Sequence, residues 1–289
     1  MNTFKTTVLL TALTVLLVGI GYFVGGAYGA IAFFVLAVIM NMSAYWFSDR
    51  IALRMAGARE VSEDQDPKLF KMVAEVAARA QMPMPKLFVI ETATPNAFAT
   101  GRSPEKGVVA VTTGIRRLLS ENELKAVIAH EIGHLKNRDT LTSSIAATIA
   151  GAISMISFML LWFGGRRGLL SILIMILAPI AASIIQFAIS RTREFAADEF
   201  GANLIRDPEA LASALLKLEQ GVQYAPMQDT PQQEAIAALY IVHPFKGGGM
   251  GKLFRTHPPT KERVERLRKM TYGTTYTRRA RERTTSRVR

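Results

Sequence analysis

Three long stretches of this chain contain no charged residue, and they constrain its fold more than any other feature. They cover residues 6–48, 140–165 and 168–190. A helix needs about 20 apolar residues to cross the core of a bilayer, so the first stretch has room for two crossings and each of the others for one. Gly25, Gly26 and Gly29 mark a turn inside the first stretch. The sequence therefore predicts four transmembrane helices arranged as two hairpins.

Basic residues flank the predicted spans and indicate their orientation. The turn between the first two spans carries no charge, whereas the other ends are rich in arginine and lysine. These flanking residues are Lys5, Arg50, Arg54, Arg59, Lys136, Arg138, Arg191 and Arg193. By the positive-inside rule, both termini and the segment between the hairpins face the cytoplasm. Arg166 and Arg167, in the turn of the second hairpin, run against the rule but are outnumbered.

Between the hairpins lies His130-Glu131-Ile132-Gly133-His134, which places two imidazoles four residues apart. A capping-box pattern at Ser120 and Glu123 and the apolar spacing that follows predict that this segment is helical. Residues i and i+4 share one face of a helix, so both rings can bind one metal ion. The pattern is a zinc signature in which the glutamate is the general base of a metalloprotease. The alternative is an exposed helix that carries two of the chain's four histidines by chance.

A catalytic zinc ion needs a third protein ligand. His134 lies about 9 Å above the start of the third span and Glu194 about 6 Å above the end of the fourth, at about 1.5 Å per helical residue. Neighbouring helices pack about 8–10 Å apart, so Glu194 is predicted to lie beside His134. Asp198, one turn further on, can orient a ligand histidine from behind. The alternative is that both acids only form surface ion pairs with Arg191 and Arg193.

These features divide the chain into five parts. They are an N-terminal transmembrane hairpin (1–48), the first part of a catalytic domain with the motif helix (49–139), a second hairpin (140–190), the second part of the catalytic domain (191–272) and a basic tail (273–289). The predicted fold is a mainly α-helical integral membrane protein with a cytoplasmic metallopeptidase domain that contains a small β-sheet. Eight of the chain's net twelve positive charges lie from residue 261 onward, which indicates attraction to anionic lipid or a solvated tail rather than a specific nucleic-acid site.

Local patterns predict the remaining elements. Two Asp-Pro pairs, at residues 66–67 and 207–208, start helices that reach about Ala80 and Leu218. Residues 86–91 and 107–112 are predicted strands, and residues 94–101 between them a loop. Residues 220–251 lack clear periodicity and are predicted to be mobile, including the glycine run at 247–251. A last helix is predicted to begin near Thr260.

Taken together, these segments resemble the HtpX family of membrane-embedded zinc metallopeptidases, which are relatives of the CAAX prenyl proteases. The resemblance covers most of the chain except the arginine-rich end after Tyr272. Its segments are the N-terminal hairpin, the loop Pro95-Asn96-Ala97-Phe98-Ala99-Thr100-Gly101, the His130–His134 motif, the second hairpin, Arg193-Glu194-Phe195-Ala196-Ala197-Asp198 and Thr256-His257-Pro258-Pro259-Thr260.

The resemblance implies a gluzincin-type site with one zinc ion per chain on His130, His134 and Glu194, and with Glu131 as the base. It also implies that residues 96–99 lie at the edge of the substrate cleft, where an edge strand can pair with an extended substrate. The resemblance thus implies substrate contacts at Asn96, Ala97 and Phe98. The resemblance further places His257 and Arg263 near the active site, as substrate or oxyanion contacts.

The predicted function is zinc-dependent hydrolysis of peptide bonds in membrane proteins or misfolded proteins. The resemblance associates this activity with membrane-protein quality control and the stress response, at the inner membrane of bacteria. Its partners are then polypeptide substrates and the lipid bilayer. The alternative is a non-proteolytic membrane scaffold or regulator that contains zinc. The spans contain no ionisable residue, which disfavours a transporter.

Overall fold

The structure, a computed structural model, describes residues 2–150, 191–246 and 257–270. Most of the predicted third and fourth spans, the glycine run at 247–251 and the basic tail lie outside these described residues. The described helices are α1 (Asn2–Met55), α2 (Pro67–Arg79), α3 (Thr113–Leu118), α4 (Glu121–Lys136), α5 (139–150), α6 (Arg191–Ile205), α7 (Pro208–Tyr224), α8 (Pro231–Ile236) and α9 (260–270). The strands are β1 (Ala58–Glu60), β2 (Lys86–Ile90), β3 (Ala97–Thr100) and β4 (Val108–Thr112).

Helix α1 is a hairpin of two arms, because its backbone leaves the helical conformation at Gly25 and Gly26. Gly26 has φ of 59°, which glycine adopts without steric cost. The arms pack side by side, and the Asn41 amide on the second arm donates to the Leu10 carbonyl on the first at 3.1 Å. The second arm, Gly25–Met55, is 31 residues long and contains an 18-residue stretch with a mean hydropathy of 1.9, so it is long and apolar enough to cross a membrane. The first arm contains a shorter apolar helix, Thr6–Gly19.

The four strands form a mixed sheet in the order β1-β2-β4-β3. β2 and β4 are parallel neighbours, and β1 and β3 flank them in antiparallel pairing. The predicted strands at 86–91 and 107–112 are thus confirmed to within a residue. The prediction of a loop at 94–101 is wrong for residues 97–100, which form β3. Every residue of β3 is buried on both faces, so the polar–apolar alternation that identifies half-buried strands is missing.

The helices of the peptidase-like domain pack around α4, which is covered on nearly all sides. α4 lies against α6, α7, α2 and strand β3. Its buried residues include Val127, Ile128 and Ile132, none of which exposes any surface to solvent. Burial of this kind, at about 25 cal/mol per Å² of apolar surface, fixes the position of α4 within the domain. Any side chain on α4 that faces its neighbours is therefore held in a defined environment.

The two predicted Asp-Pro helix starts show the expected capping chemistry. The carboxylates of Asp66 and Asp207 accept from the backbone amides of Leu69 and Ala210 at 3.2 and 3.0 Å.

The predicted end of α7 at Leu218 is wrong, because the helix continues to Tyr224. The prediction that residues 220–251 lack structure is also wrong for part of the segment, since α8 and a short 3-10 helix occupy 231–239. This region packs on the rest of the fold rather than showing a periodic pattern of its own.

Candidate metal centre and active site

Helix α4 begins with a complete capping box. The Ser120 amide donates to the Glu123 carboxylate at 2.8 Å, and the Glu123 amide donates to the Ser120 hydroxyl at 3.4 Å. The two interactions satisfy free amides at the helix start and fix where the first turn begins. His130 and His134 then follow one turn apart on one face, as the motif predicts. Both lie on the side of α4 that packs against α6.

Three potential ligand atoms converge between α4 and α6. The Nε2 atoms of His130 and His134 are 3.2 Å apart. Glu194 Oε1 lies 3.4 Å from His134 Nε2, and Glu194 Oε2 lies 3.9 Å from His130 Nε2. Ligands about 2.0–2.1 Å from a tetrahedral zinc ion are separated by about 3.3 Å, so these spacings fit a common ion. The three residues could hold a metal, and the spacing predicted from helix heights agrees with this geometry.

Each histidine has a carboxylate behind it. Asp198 Oδ1 lies 2.9 Å from His130 Nδ1, and Asp139 Oδ2 lies 3.3 Å from His134 Nδ1. A carboxylate at Nδ1 holds the proton on that nitrogen and leaves the Nε2 lone pair pointing at the shared position. Without a cation, two Nε2 lone pairs 3.2 Å apart would oppose each other. The donor set is thus prepared for a positive ion.

Arg263, on α9, lies behind Asp198. Its Nε and Nη2 atoms donate to the two Asp198 oxygens at 2.8 and 2.6 Å, and its Nη1 donates to the Ile241 carbonyl at 2.9 Å. The side chain is 2 % exposed, and Nη2 approaches His130 Nε2 to 3.5 Å. Burial lowers the pKa of Arg263, but Asp198 raises it more, so the guanidinium stays charged. Arg263 therefore meets the site through Asp198 and His130.

Glycine allows α6 to approach the motif helix. A Cβ atom on Gly201 would lie 2.8 Å from the backbone nitrogen of His130 and 3.1 Å from its Cα. Both atoms belong to the α4 backbone, which cannot move aside easily. The close approach brings Glu194 and Asp198, on the same helix, within reach of His130. Gly201 is thus a residue that the sequence analysis missed.

Glu131 is placed to act as a buried base beside the proposed ligands. Its side chain is 2 % exposed and lines the same cavity as His130 and His134. Burial raises the pKa of Glu131 to about 7, while the nearby imidazole of His134 acts in the opposite direction. Burial lowers the pKa of His130 to about 4, so this imidazole is neutral and able to bind a metal.

Glu194 has an oxygen that is suited to bind a cation. Burial alone would raise the pKa of Glu194, but His257, His134 and Arg263 hold it well below the ordinary value, so the carboxylate is charged. Glu194 Oε2 is buried and accepts no hydrogen bond from the described residues. His257 Nδ1 lies 2.9 Å from this oxygen without the alignment of a hydrogen bond. An anionic oxygen left in this state is what a metal ligand requires.

The outer edge of β3 is partly covered by the chain itself. The side-chain Nδ2 of Asn96 donates to the Val242 carbonyl at 2.8 Å, and the side-chain Oδ1 of Asn96 accepts from the backbone amide of Val242 at 3.3 Å. The backbone amide of Ile241 donates to the Ala97 carbonyl at 3.0 Å. Residues 241–242 are thus joined to the start of β3 by one main-chain hydrogen bond and by the Asn96 side chain.

Phe98 and Ala99 have different environments. Phe98 is fully buried and stacks edge-on against Tyr240, with ring centroids 5.2 Å apart. Ala99 lines the cavity that contains Glu131 and the proposed ligands, and its backbone amide lowers the pKa of Glu131. Of the residues predicted at the cleft edge, Asn96, Ala97 and Phe98 contact residues 240–242, whereas the next residue reaches the cavity.

Asp139 is another residue that the sequence analysis missed. α4 ends at Lys136, and Arg138 has φ of 57°, so the chain breaks between α4 and α5. The break turns Asp139 back toward His134, and Arg193 lies 3.4 Å from the other Asp139 oxygen. From the sequence alone, α4 is predicted to run almost directly into the third span, which the break at Arg138 contradicts. The only signal was an acidic residue next to a predicted membrane boundary.

Comparison with known proteins agrees with this geometry. Residues 63–271 match Peptidase family M48. A protease HtpX homolog of Salinibacter ruber is 51 % identical over 274 residues, covering 93 % of this chain and 98 % of that protein. A protease HtpX homolog of Pyrococcus furiosus is 51 % identical over 276 residues, covering 92 % and 95 %. One from Methylibium petroleiphilum is 48 % identical over 276 residues.

Among solved structures, the crystal structure of S. mikatae Ste24p is similar at a TM-score of 0.46 and 18 % identity. The similarity covers 81 % of this chain but only 57 % of that protein. The assignment rests instead on the family match and on the relatives with about half of their residues identical over nearly their whole length. The chain therefore belongs to peptidase family M48, together with the proteins named protease HtpX homolog.

Proposed function

We propose that this chain is a membrane-bound zinc endopeptidase with its active site on the cytoplasmic side of the bacterial inner membrane. One observation carries the proposal: three ligand atoms converge between α4 and α6, with a carboxylate behind each imidazole and a buried glutamate beside them. Membership of a peptidase family supports hydrolysis of polypeptides as the reaction. Zinc is the metal of choice because its catalytic sites combine two histidines with a glutamate and leave a position open.

In this proposal each residue has a distinct task. When bound to His130, His134 and Glu194, zinc supplies a Lewis acid that polarises a carbonyl group and makes water more acidic. Glu131 takes the proton from water and delivers it to the departing amine. Glu131 is suited to both steps by its position, because its buried side chain lines the same cavity as the proposed ligands.

Asp198 and Arg263 position His130 rather than touch substrate. Arg263 donates to both oxygens of Asp198, and Asp198 in turn faces His130 Nδ1. We therefore propose a positioning role for Arg263 in place of the oxyanion contact that the resemblance implies. His257 remains the candidate for the oxyanion contact, because its side chain lines the cavity beside Glu194.

The proposed substrates are membrane proteins and exposed segments of misfolded proteins. With four spans in two hairpins, and the domain boundaries predicted from the sequence, the site would lie within two helical turns of the membrane surface. An extended substrate would pair with β3 at Ala99, since residues 240–242 already contact the earlier part of that strand. A role in membrane-protein quality control under stress is consistent with such substrates.

The test is zinc content and cleavage by the detergent-purified chain, with an unfolded soluble protein as substrate. We expect about one zinc ion per chain in the wild type and in Glu131→Gln, and none in Glu194→Ala. Neither Glu131→Gln nor Glu194→Ala should cleave the substrate, whereas the wild type should. Glu75→Gln, an exposed carboxylate on α2, is the matched control and should retain both properties.

Each result has a separate meaning. Cleavage by Glu131→Gln at the wild-type rate would contradict the assignment of the base. Full zinc in Glu194→Ala would contradict the third ligand. Zinc in the wild type without cleavage of any polypeptide would favour the alternative of a zinc-containing scaffold or regulator.

A further inference from the structure

A groove of about 850 Å³ lies between the end of α1 and the outer part of the sheet. It shares no lining residue with the cavity that holds the proposed ligands. Its size falls in the range of small-molecule sites, about 300–1,000 Å³. Its most informative lining residues are Trp46, Arg50 and Arg54 from α1, and Lys86, Arg102 and Lys106 from the sheet side.

The groove carries an excess of positive charge. Five basic side chains and three acidic ones line it, and Lys86 is paired with Glu60 at 2.7 Å. Across the described residues, no carboxylate lies within 4.0 Å of the guanidinium groups of Arg50, Arg54 and Arg102. With the other two acids, Asp49 and Glu105, included in the count, basic side chains still outnumber acidic ones, so the groove has a net positive charge. A guanidinium is planar and presents paired donors, which suits the oxygens of a phosphate group.

Aromatic side chains accompany these arginines. The Arg102 guanidinium lies 4.6 Å from the centre of the Trp46 ring, and that of Arg50 lies 5.9 Å from the Phe47 ring. Trp46 is 50 % exposed and Phe47 is 48 % exposed, which is costly in water but favourable at a lipid headgroup. Tryptophan beside arginine is the combination found where a helix leaves the apolar core of a bilayer.

The depth of the groove agrees with this chemistry. Trp46 follows the turn at Gly26 by twenty residues, which is about 30 Å along a helix and equals the thickness of the hydrocarbon core. Arg50 lies about 6 Å and Arg54 about 12 Å further along the same helix. Arg50 is thus level with the headgroup layer. This step rests on the membrane placement of α1 that is part of the proposed function.

We propose that the groove binds the headgroup of an anionic phospholipid, with Arg50, Arg54 and Arg102 around the phosphate and Trp46 against the glycerol region. A lipid satisfies the arginines and the exposed aromatic rings together, whereas a free phosphate ion satisfies only the arginines. The bound lipid would join the second arm of α1 to the sheet. The bound lipid would lie apart from the cavity that contains the proposed metal ligands.

Quenching of Trp46 fluorescence by brominated lipids tests this proposal. Trp162→Phe leaves Trp46 as the chain's only tryptophan. The full-length chain is reconstituted in phosphatidylcholine vesicles with equal mole fractions of brominated phosphatidylglycerol or brominated phosphatidylcholine. We expect phosphatidylglycerol to be enriched about fivefold or more near Trp46, since each basic residue near the surface contributes about 1 kcal/mol. Arg50→Gln with Arg54→Gln should remove most of the enrichment.

Controls separate the groove from general charge and from the metal centre. Arg59→Gln removes one positive charge next to the groove, but Arg59 is paired with Glu91 at 2.9 Å and does not line it, so enrichment should persist. Zinc content should be unchanged in every variant, which distinguishes this result from failure of the proposed peptidase.

Three outcomes would overturn the proposal. Equal quenching by the two lipids would mean that the groove does not select an anionic headgroup, although α1 enters the bilayer. Loss of enrichment on adding 10 mM inorganic phosphate, at constant ionic strength, would identify a phosphate-ion site instead. No quenching by either lipid would reject the membrane placement of α1 together with the groove.

Discussion

The two histidines of the motif are supported in similar ways but with different stiffness. Behind His130, the Asp198–Arg263 pair is almost fully buried and joined by two hydrogen bonds of 2.6 and 2.8 Å. Behind His134, the Asp139–Arg193 pair is longer at 3.4 Å, and the imidazole is 14 % exposed. Short, bidentate ion pairs fix geometry more strongly than longer ones. We therefore expect the His130 side of the centre to be held more tightly than the His134 side.

The largest effect should come from removing the charge that supports His130. Asp198→Asn leaves Arg263 buried without its main counter-charge, and breaking a buried pair in this way typically costs about 3–5 kcal/mol. We expect a large drop in the melting temperature of the detergent-purified chain and loss of zinc. The control is Arg268→Gln on α9, the helix that carries Arg263. Arg268 forms an exposed ion pair with Glu209, so this substitution should cost under about 1 kcal/mol. Equal effects of the two variants would contradict the difference in stiffness.

Gly201→Ala should have the next largest effect. The new methyl group would meet the His130 backbone, and overpacking of this kind costs about 1–3 kcal/mol. Zinc affinity should fall as α6 moves away from α4. Gly133→Ala provides the matched control, because its methyl group would meet the Phe200 ring at 3.0 Å, and a side chain can yield. Zinc titration of both variants checks the prediction, and a milder effect at Gly201 than at Gly133 would refute it.

Asp139→Asn should weaken zinc binding and cost less stability than Asp198→Asn. Changing a residue that orients a ligand histidine typically costs about 10–100-fold in metal affinity. The metal-free variant should melt above metal-free Asp198→Asn, since the Asp139–Arg193 contact of 3.4 Å is longer than the two hydrogen bonds between Asp198 and Arg263. Competition with a chelator measures the affinity. A stability loss as large as that of Asp198→Asn would show that the two sides are equally rigid.

The smallest effect is expected for Glu123, a carboxylate on α4 that lies outside the proposed metal centre. Burial would raise the pKa of Glu123, but Lys217 and Ser213 lower it to about 2. A lowered folded-state pKa gives stability that is full above about pH 4.5 and is lost as the pH falls toward 2. Glu123→Gln should therefore destabilise the chain by about 1–2 kcal/mol at pH 7 and by less at pH 3. Thermal unfolding of the metal-free variant and the metal-free wild type across this range tests the sign.

The sequence was sufficient to predict features that depend on spacing within one helix or on an Asp-Pro helix start. His130, Glu131 and His134 share a helix, so one period placed them together. Glu194 and Asp198 were predicted near the histidines from helical rise beyond the predicted third and fourth spans and from the ordinary distance between packed helices. These predictions needed only general helix geometry.

The features that the sequence did not reveal depend on contacts between distant segments. Asp139 faces His134 only because the backbone turns at Arg138, which carries no glycine or proline signal. β3 lacks alternation because neighbouring elements cover both of its faces. Arg263 was predicted near the site, but its pairing with Asp198 depends on how α9 docks. In each case the deciding partner lies far away in the chain or in another element.

The contact between Asp198 and Arg263 has a consequence for biosynthesis. The ribosome makes the two motif histidines first, Glu194 sixty residues after His134, and Arg263 sixty-nine residues after Glu194. A nascent chain therefore carries all three ligand residues before it carries the arginine that holds Asp198 against His130. Completion of the centre waits for α9 to emerge and dock. Chains truncated before this helix would lack the guanidinium that binds both oxygens of Asp198.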